Sequence, residues 1–137
     1  MSGEQSAPIV VVIRDEPDLA IARNTARELG GRAGFEWSAL EALATAVSEI
    51  ARNILEHARA GEIELAPLER DGLRGVQAIA RDSGPGIADP RRAMEDGYST
   101  SGGLGFGLPG ARRLVDEFEL VSEVGRGTKV TMRKWAR

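Results

Sequence analysis

Cysteine is absent from these 137 residues and histidine occurs once. The first absence removes disulfide frameworks, thiolate zinc sites and cysteine nucleophiles, and the second removes any multi-histidine metal site. Aromatic residues make up 4% of the chain and are scattered along it, at Phe35, Trp37, Tyr98, Phe106, Phe118 and Trp135. With 18 Lys plus Arg against 21 Asp plus Glu, a net charge of −3, the chain has neither the stacking platforms nor the cationic groove of a nucleic-acid binder. No apolar run approaches the ~20 residues that span a bilayer, and the opening MSGEQSAP lacks the basic and apolar regions of a secretory signal. A cytoplasmic location away from membranes is the expectation. Linkers, internal repeats and blocks of one charge are also missing, so the length suits one domain over 1–137, with 1–7 as a flexible start. Roughly 7,000 Å² of folded surface against roughly 21,000 Å² for the open chain leaves room for a core without staples. Chemistry is left to carboxylates, amides, hydroxyls, Lys, Arg and backbone.

What the chain has in excess is glycine. Seventeen residues are about 12% against a usual value of about 7%. Gly84, Gly86, Gly97, Gly102, Gly103, Gly105, Gly107 and Gly110 crowd into one stretch.

The β-branched run Ile9 to Ile13 reads as a first strand. Pro17 suits a helix start and Gly30-Gly31 a stop, which predicts a helix over 17–29. Ser38 with Glu41 has capping-box spacing, and the Ala- and Leu-rich stretch to Ala58 predicts a second helix. Strands are predicted at 62–68 and 73–81 around the turn Glu69-Arg70-Asp71-Gly72. A short helix is predicted at 90–96, another at 109–117, and final strands at 118–123 and 128–135 across Gly125-Arg126-Gly127. This order describes an α+β fold: a mixed, mostly antiparallel sheet with helices on one face, a two-layer sandwich.

Four groups of residues bear on chemistry. At about 100° per residue from Val47, Ile50, Ala51 and Ile54 form the buried stripe of the second helix. Glu49 at roughly 200° and Asn53 at roughly 240° lie together at its rim. Being four apart they point the same way, which suits either a ligand held beside the core or a solvated helix face. Asp82-Ser83-Gly84-Pro85-Gly86-Ile87 follows a strand. An Asp there is an acceptor suited to the exocyclic amine of adenine, with glycines that let backbone approach a flat ligand; the same run also suits a tight Asx turn. The stretch from Ser99 to Leu108, with Gly103, Gly105 and Gly107, runs into a helix and offers backbone N–H donors to phosphate, or serves as a flexible link. It is neither a P-loop nor a dinucleotide fingerprint. Gly125-Arg126-Gly127-Thr128 delivers a hydroxyl at a strand start, or is simply a hairpin turn.

Taken in order, Glu49-xxx-Asn53, Asp82-x-Gly84-x-Gly86, Gly103-x-Gly105-x-Gly107 and Gly125-x-Gly127-Thr128 resemble the N, G1, G2 and G3 boxes of the GHKL ATPase superfamily. The resemblance covers nearly the whole chain. SEIARNI, DSGPGI, AMEDGYSTSGGLGFGLPGARRLVDEF and GRGTKV are similar, more narrowly, to the RsbT-like serine/threonine switch kinases of bacterial stress-signalling complexes.

That resemblance implies the Bergerat ATP-binding fold, ATP as ligand and Mg²⁺ as its metal. By position it implies that Asn53 coordinates Mg²⁺, that Glu49 is the base acting on the acceptor hydroxyl, and that Asp82 reads adenine with support from Thr128. It further implies that Gly84 and Gly86 surround the base, that Gly103, Gly105, Gly107 and Leu108 meet the phosphates, and that Thr100 lies in the hinge of a lid. The lid is short, with almost nothing between Thr100 and Gly103, unlike those of histidine kinases and chaperone ATPases. The implied activity is Mg-ATP-dependent phosphorylation of Ser or Thr on STAS-domain proteins in a partner-switching pathway. Activation of a partner protein phosphatase on release is implied as well. An ATP-dependent anti-sigma binding module is the other reading, and the sequence leaves oligomeric state open. His57 is expected at a helix end, since the chain has no dimerising hairpin to carry a phosphohistidine. The basic tail Lys129, Arg133, Lys134 and Arg137 suits either an acidic partner or a polar strand face.

Overall fold

The computed structural model describes residues 7–94 and 108–136; the expected flexible start therefore lies, except for Ala7, outside the described residues. Along them run β1 (Ile9–Ile13), α1 (Glu16–Arg32), α2 (Trp37–His57), β2 (Gly61–Arg70), β3 (Leu73–Asp82), α3 (Pro90–Ala93), α4 (Leu108–Leu114), β4 (Glu117–Glu123) and β5 (Gly127–Trp135). The strands form one sheet in the order β1-β2-β3-β5-β4. A mixed sheet was the expectation; all four pairings among the described residues are antiparallel. A pair of helices between β1 and β2 returns the chain to the sheet with its direction reversed, where a single helix would have made a parallel neighbour.

Strand alternation sends Val11, Ile13, Ile63, Leu65, Val76, Ala78, Val130 and Met132 to one face, where all are buried. They share a core with Leu19, Ala26 and Leu29 of α1, Leu43, Val47, Ile50 and Ile54 of α2, and Leu108 and Ala111 of α4. The helices thus cover one face of the sheet, as the pattern predicts.

Both long helices depart from expectation at their ends. α1 runs through Gly30 and Gly31 to Arg32. It stops in a Schellman motif, in which Phe35 N–H donates to Gly30 O at 3.0 Å and Gly34 N–H to Gly31 O at 3.1 Å. The residue needing a left-handed backbone is Gly34, at φ +87°, whereas Gly30 is there for close approach: a Cβ on it would sit 2.8 Å from Leu40 Cδ1. α2 is capped at Glu36 rather than Ser38. Glu41 does not close a capping box, because Arg27 of α1 holds it through two bonds of 2.9 Å. That fork-to-fork pair outcompetes a backbone amide for the carboxylate.

The β2–β3 hairpin is tighter than the four-residue turn expected. Arg70 pairs with Leu73, and Asp71 (φ 54°) and Gly72 (φ 81°) make a two-residue turn with both central residues left-handed.

On the face away from the helices, Glu117 gathers three donors: Arg70 Nη1 at 2.7 Å, Arg133 Nη1 at 3.0 Å and Trp135 Nε1 at 3.1 Å. Arg70 also lies over the Trp135 ring, 4.6 Å from its centroid. Gly75 opposite makes room, since its Cβ would come within 2.7 Å of that ring. The hydrogen bonds from Arg70, then Trp135 and Arg133, hold the Glu117 carboxyl down at about 2 against an ordinary 4.5. A depressed carboxylate contributes stability that is complete above pH 4.5 and disappears as pH falls toward 2. Acid titration monitored by circular dichroism should therefore show Glu117→Gln less stable at neutral pH, with a shallower loss of stability between pH 4.5 and 2.

Candidate functional site

α2 presents Glu49 and Asn53 one turn apart on the flank of its buried stripe. Glu49 is half-buried and makes no hydrogen bond or ion pair among the described residues. Asn53 is sunk further, 5% exposed, and its Oδ1 is buried with no hydrogen-bond partner among the described residues. A buried amide oxygen left unpaired costs about 1–3 kcal/mol. Such an atom beside the core marks an acceptor kept for something the described residues do not supply. Ser48 Oγ is likewise buried without a partner. His57, half-buried, ends α2 as expected.

The end of β3 lies beneath this helix. Ile54 Cγ2 and Asp82 Cβ both stand about 3 Å from where a side chain on Gly61 would begin, so glycine at 61 lets the last turns of α2 settle over the sheet beside Asp82. The Asp82 carboxylate does two things. Oδ1 accepts the Gly84 N–H at 2.9 Å, the Asx turn that the sequence allows, while Oδ2 has no partner among the described residues. The turn and the ligand-reading role are compatible, because a carboxylate has a second oxygen to give.

The glycines beside Asp82 do something other than expected. A Cβ on Gly84 would meet Ala58 Cβ at 2.6 Å, one on Gly86 (φ +80°) would meet Glu123 O at 2.2 Å, and one on Gly127 (φ +115°) would meet Asp82 O at 2.0 Å. The space left by each missing side chain is filled by protein, not held open for a flat ligand. The β3–α3 loop and the β4–β5 turn are therefore packed backbone against backbone. Gly125 N–H donates to Pro85 O at 2.9 Å, and Ile87 N–H to Ser122 Oγ at 2.7 Å. This packing sets Asp82, Thr128 and Ser122 side by side on three neighbouring strands, with Asp82 paired to Thr128 and Thr128 to Ser122. All three belong by alternation to the helix-covered face.

Ser122 is the residue the sequence reading missed. Its signal was the hairpin itself: three residues between Glu123 and Gly127 place position 122 opposite 128. A cavity of about 230 Å³ wraps this end of the sheet, lined by Asp82, Ser122, Gly127 and Thr128 together with Arg81, Val121, Glu123, Arg126 and Lys129. Leu108 enters the core with 0% exposure, so only its main chain is left for a ligand. Thr100, Gly103, Gly105 and Gly107 lie outside the described residues. Arg133 of the basic tail is held by Gln77 and Glu117, which favours the polar strand face over a free docking patch; Arg137 lies outside the described residues. Among the described residues no cluster of three His, Cys, Asp or Glu could hold a metal, and no helix is long and apolar enough to cross a membrane.

A family model for the histidine kinase-like ATPase domain matches residues 12–134. The chain is 46% identical over 127 residues, 93% of its length and 96% of the relative's, to the serine/threonine-protein kinase RsbT of Bacillus subtilis. It is 33% identical over 99 residues, 66% of either chain, to the anti-sigma F factor of Caldanaerobacter subterraneus. Among solved structures, the RsbU and RsbW domains of a Mycobacterium tuberculosis protein align with TM-score 0.65 at 24% identity, covering 96% of this chain and 33% of that one. The mycobacterial sensor histidine kinase MprB aligns with TM-score 0.55 at 16% identity over 97% and 98% of the two chains. These two alignments speak to the fold alone. The sequence matches go further: the chain belongs to the histidine kinase-like ATPase family and, within it, to the RsbT serine/threonine-protein kinases.

Proposed function

We propose that the chain, acting as a single cytoplasmic domain, binds Mg-ATP between α2 and the end of its sheet. It transfers the γ-phosphoryl group to a serine or threonine of a STAS-domain protein in a partner-switching stress pathway. Once released from that partner it binds and activates a protein phosphatase. The observation that carries the reading is Asn53, whose buried, unpartnered Oδ1 is the kind of hard oxygen donor that Mg²⁺ prefers. One protein ligand is enough for an ion that keeps most of its other positions for phosphate and water. When bound, the ion neutralises charge on the phosphate oxygens.

The chain's own residues do the remainder. Oδ2 of Asp82 accepts the adenine amine, and Thr128 supports it. Backbone N–H groups of Gly103, Gly105, Gly107 and Leu108 meet the phosphates, with Thr100 in the hinge of the short lid. Gly84 and Gly86 act at one remove, by letting the loop that carries Asp82 pack in place. Glu49, without a partner among the described residues and one turn from Asn53, orients the acceptor hydroxyl and takes its proton as the new O–P bond forms and the bond to the ADP oxygen breaks. Phosphoryl transfer asks little more than such positioning and charge stabilisation.

The site is tested by titrating ATP with and without Mg²⁺. Chelation should weaken binding to the wild type about tenfold or more, and Asn53→Ala should bind ATP in Mg²⁺ as weakly as the chelated wild type. The apo variant should melt no lower than the wild type, since the desolvation cost of the unsatisfied acceptor leaves with the side chain and offsets the packing lost. Equal Mg²⁺ dependence in both proteins would remove Asn53 from the metal site. A second reading, an ATP-dependent anti-sigma module, draws on the likeness to the anti-sigma F factor. Binding alone gives Glu49 nothing to do, so transfer to a STAS protein separates the two.

A further inference from the structure

We infer that Ser122 is a positioning residue that sets the proton of Thr128 and thereby makes this site select a purine bearing a 6-amino group over one bearing a 6-oxo group. The inference rests on the proposed reading of an ATP site and deepens it.

Three bonds converge on Ser122 Oγ: the Ile87 N–H at 2.7 Å, the Gly127 carbonyl at 3.1 Å and Thr128 Oγ1 at 2.8 Å. The Ile87 contact has only one possible direction, because an amide donates. The Gly127 contact has only one as well, because a carbonyl accepts. A serine has a single proton. If that proton serves Gly127, all three bonds form together, with Ile87 and Thr128 donating to the two lone pairs of Ser122. If it is turned to Thr128 instead, the carbonyl loses its bond. Satisfying every group thus makes Thr128 the donor to Ser122.

The consequence is felt one strand away. With its proton spent on Ser122, Thr128 presents only lone pairs to its other neighbours, and it lines the cavity at this end of the sheet while being only 9% exposed. Asp82 across the ladder presents Oδ2, also an acceptor. Two acceptors side by side fit an amino group, directly or through a water that donates to one of them, and repel a carbonyl oxygen. Ser122 at the same time ties the Asp82–Ile87 loop to β4 through Ile87, so it fixes both the polarity and the position of the pair.

The test is to measure dissociation constants for ATP and inosine triphosphate at constant Mg²⁺. Inosine triphosphate carries an oxygen in place of the 6-amino group and a proton on N1, where adenine has a lone pair. The wild type should prefer ATP. Ser122→Ala should lose roughly tenfold of that preference, mainly through weaker ATP binding, and Ser122→Thr, which keeps a hydroxyl, should retain it. Thr128→Val removes the acceptor while leaving Ser122 its bonds to Ile87 and Gly127, and should reproduce the loss even if Ser122→Ala folds poorly. A merely structural serine would weaken both nucleotides equally. Parallel weakening, or an unchanged ratio in both Ser122→Ala and Thr128→Val, overturns the inference while leaving the proposed ATP site standing. A wild type that binds neither nucleotide overturns the proposed ATP site itself.

Discussion

Replacing Glu49 by glutamine should lower phosphoryl transfer by about 10²–10⁴-fold while leaving ATP binding and melting temperature where they are. The substitution keeps size and shape and removes only the ability to accept a proton. Glu49 is half-buried and engages no other described side chain, so nothing structural depends on its charge. A carboxylate on a solvated helix face would lose nothing measurable on amidation. A carboxylate holding the acceptor hydroxyl would lose the chemical step alone, which appears as a fall in kcat with the nucleotide dissociation constant unchanged. Single-turnover transfer from labelled ATP, together with a separate ATP titration, distinguishes these outcomes. Loss of ATP binding in parallel with transfer would move Glu49 from the reacting centre to the nucleotide cradle.

The second large effect is expected at Gly127. Its φ of +115° disfavours any L side chain, and a Cβ there would fall 2.0 Å from the Asp82 carbonyl and 2.9 Å from Ser83 Cα. Gly127→Ala must therefore separate the β3–α3 loop from the β4–β5 turn, at the place where Asp82 and Thr128 pair. About 3 kcal/mol of destabilisation is expected from backbone strain and the forced shift, lowering the melting temperature by roughly 10 °C. ATP affinity should fall with it, because the two residues proposed to read adenine no longer share a register. Gly31→Ala provides the contrast. It lies inside α1 with nothing within 4 Å of a new Cβ, and a helical alanine there should stabilise by about 0.5–1 kcal/mol. Calorimetry of the two variants beside the wild type checks both signs at once. A Gly127→Ala protein that melts and binds like the wild type would mean that the loop and turn need no such close packing.

These glycines also show where the sequence was legible and where it was not. Their positions in the chain, together with Glu49, Asn53, Asp82 and Thr128, were enough to identify the family. Strand alternation and helical periodicity were enough to lay out the sandwich. What a glycine makes room for cannot be read from one dimension. Gly84, Gly86 and Gly127 admit neighbouring protein atoms, and the helix stop expected at Gly30-Gly31 is made at Gly34 instead. Glu41 carried a capping signal that a long-range pairing with Arg27 overrode. The sheet came out antiparallel because two helices, not one, separate β1 from β2. Ser122 escaped notice because serine in a strand carries no pattern of its own; its importance comes from the two strands and the loop that meet on its hydroxyl.

The central claim is that this site transfers phosphate and does not simply hold ATP. Incubating the chain with γ-labelled ATP, Mg²⁺ and a STAS-domain protein that co-purifies with it measures that directly. Label recovered on a serine or threonine of the STAS protein, and lost with Glu49→Gln, is the predicted result. Tight Mg²⁺-dependent ATP binding with no label reaching the partner would contradict it.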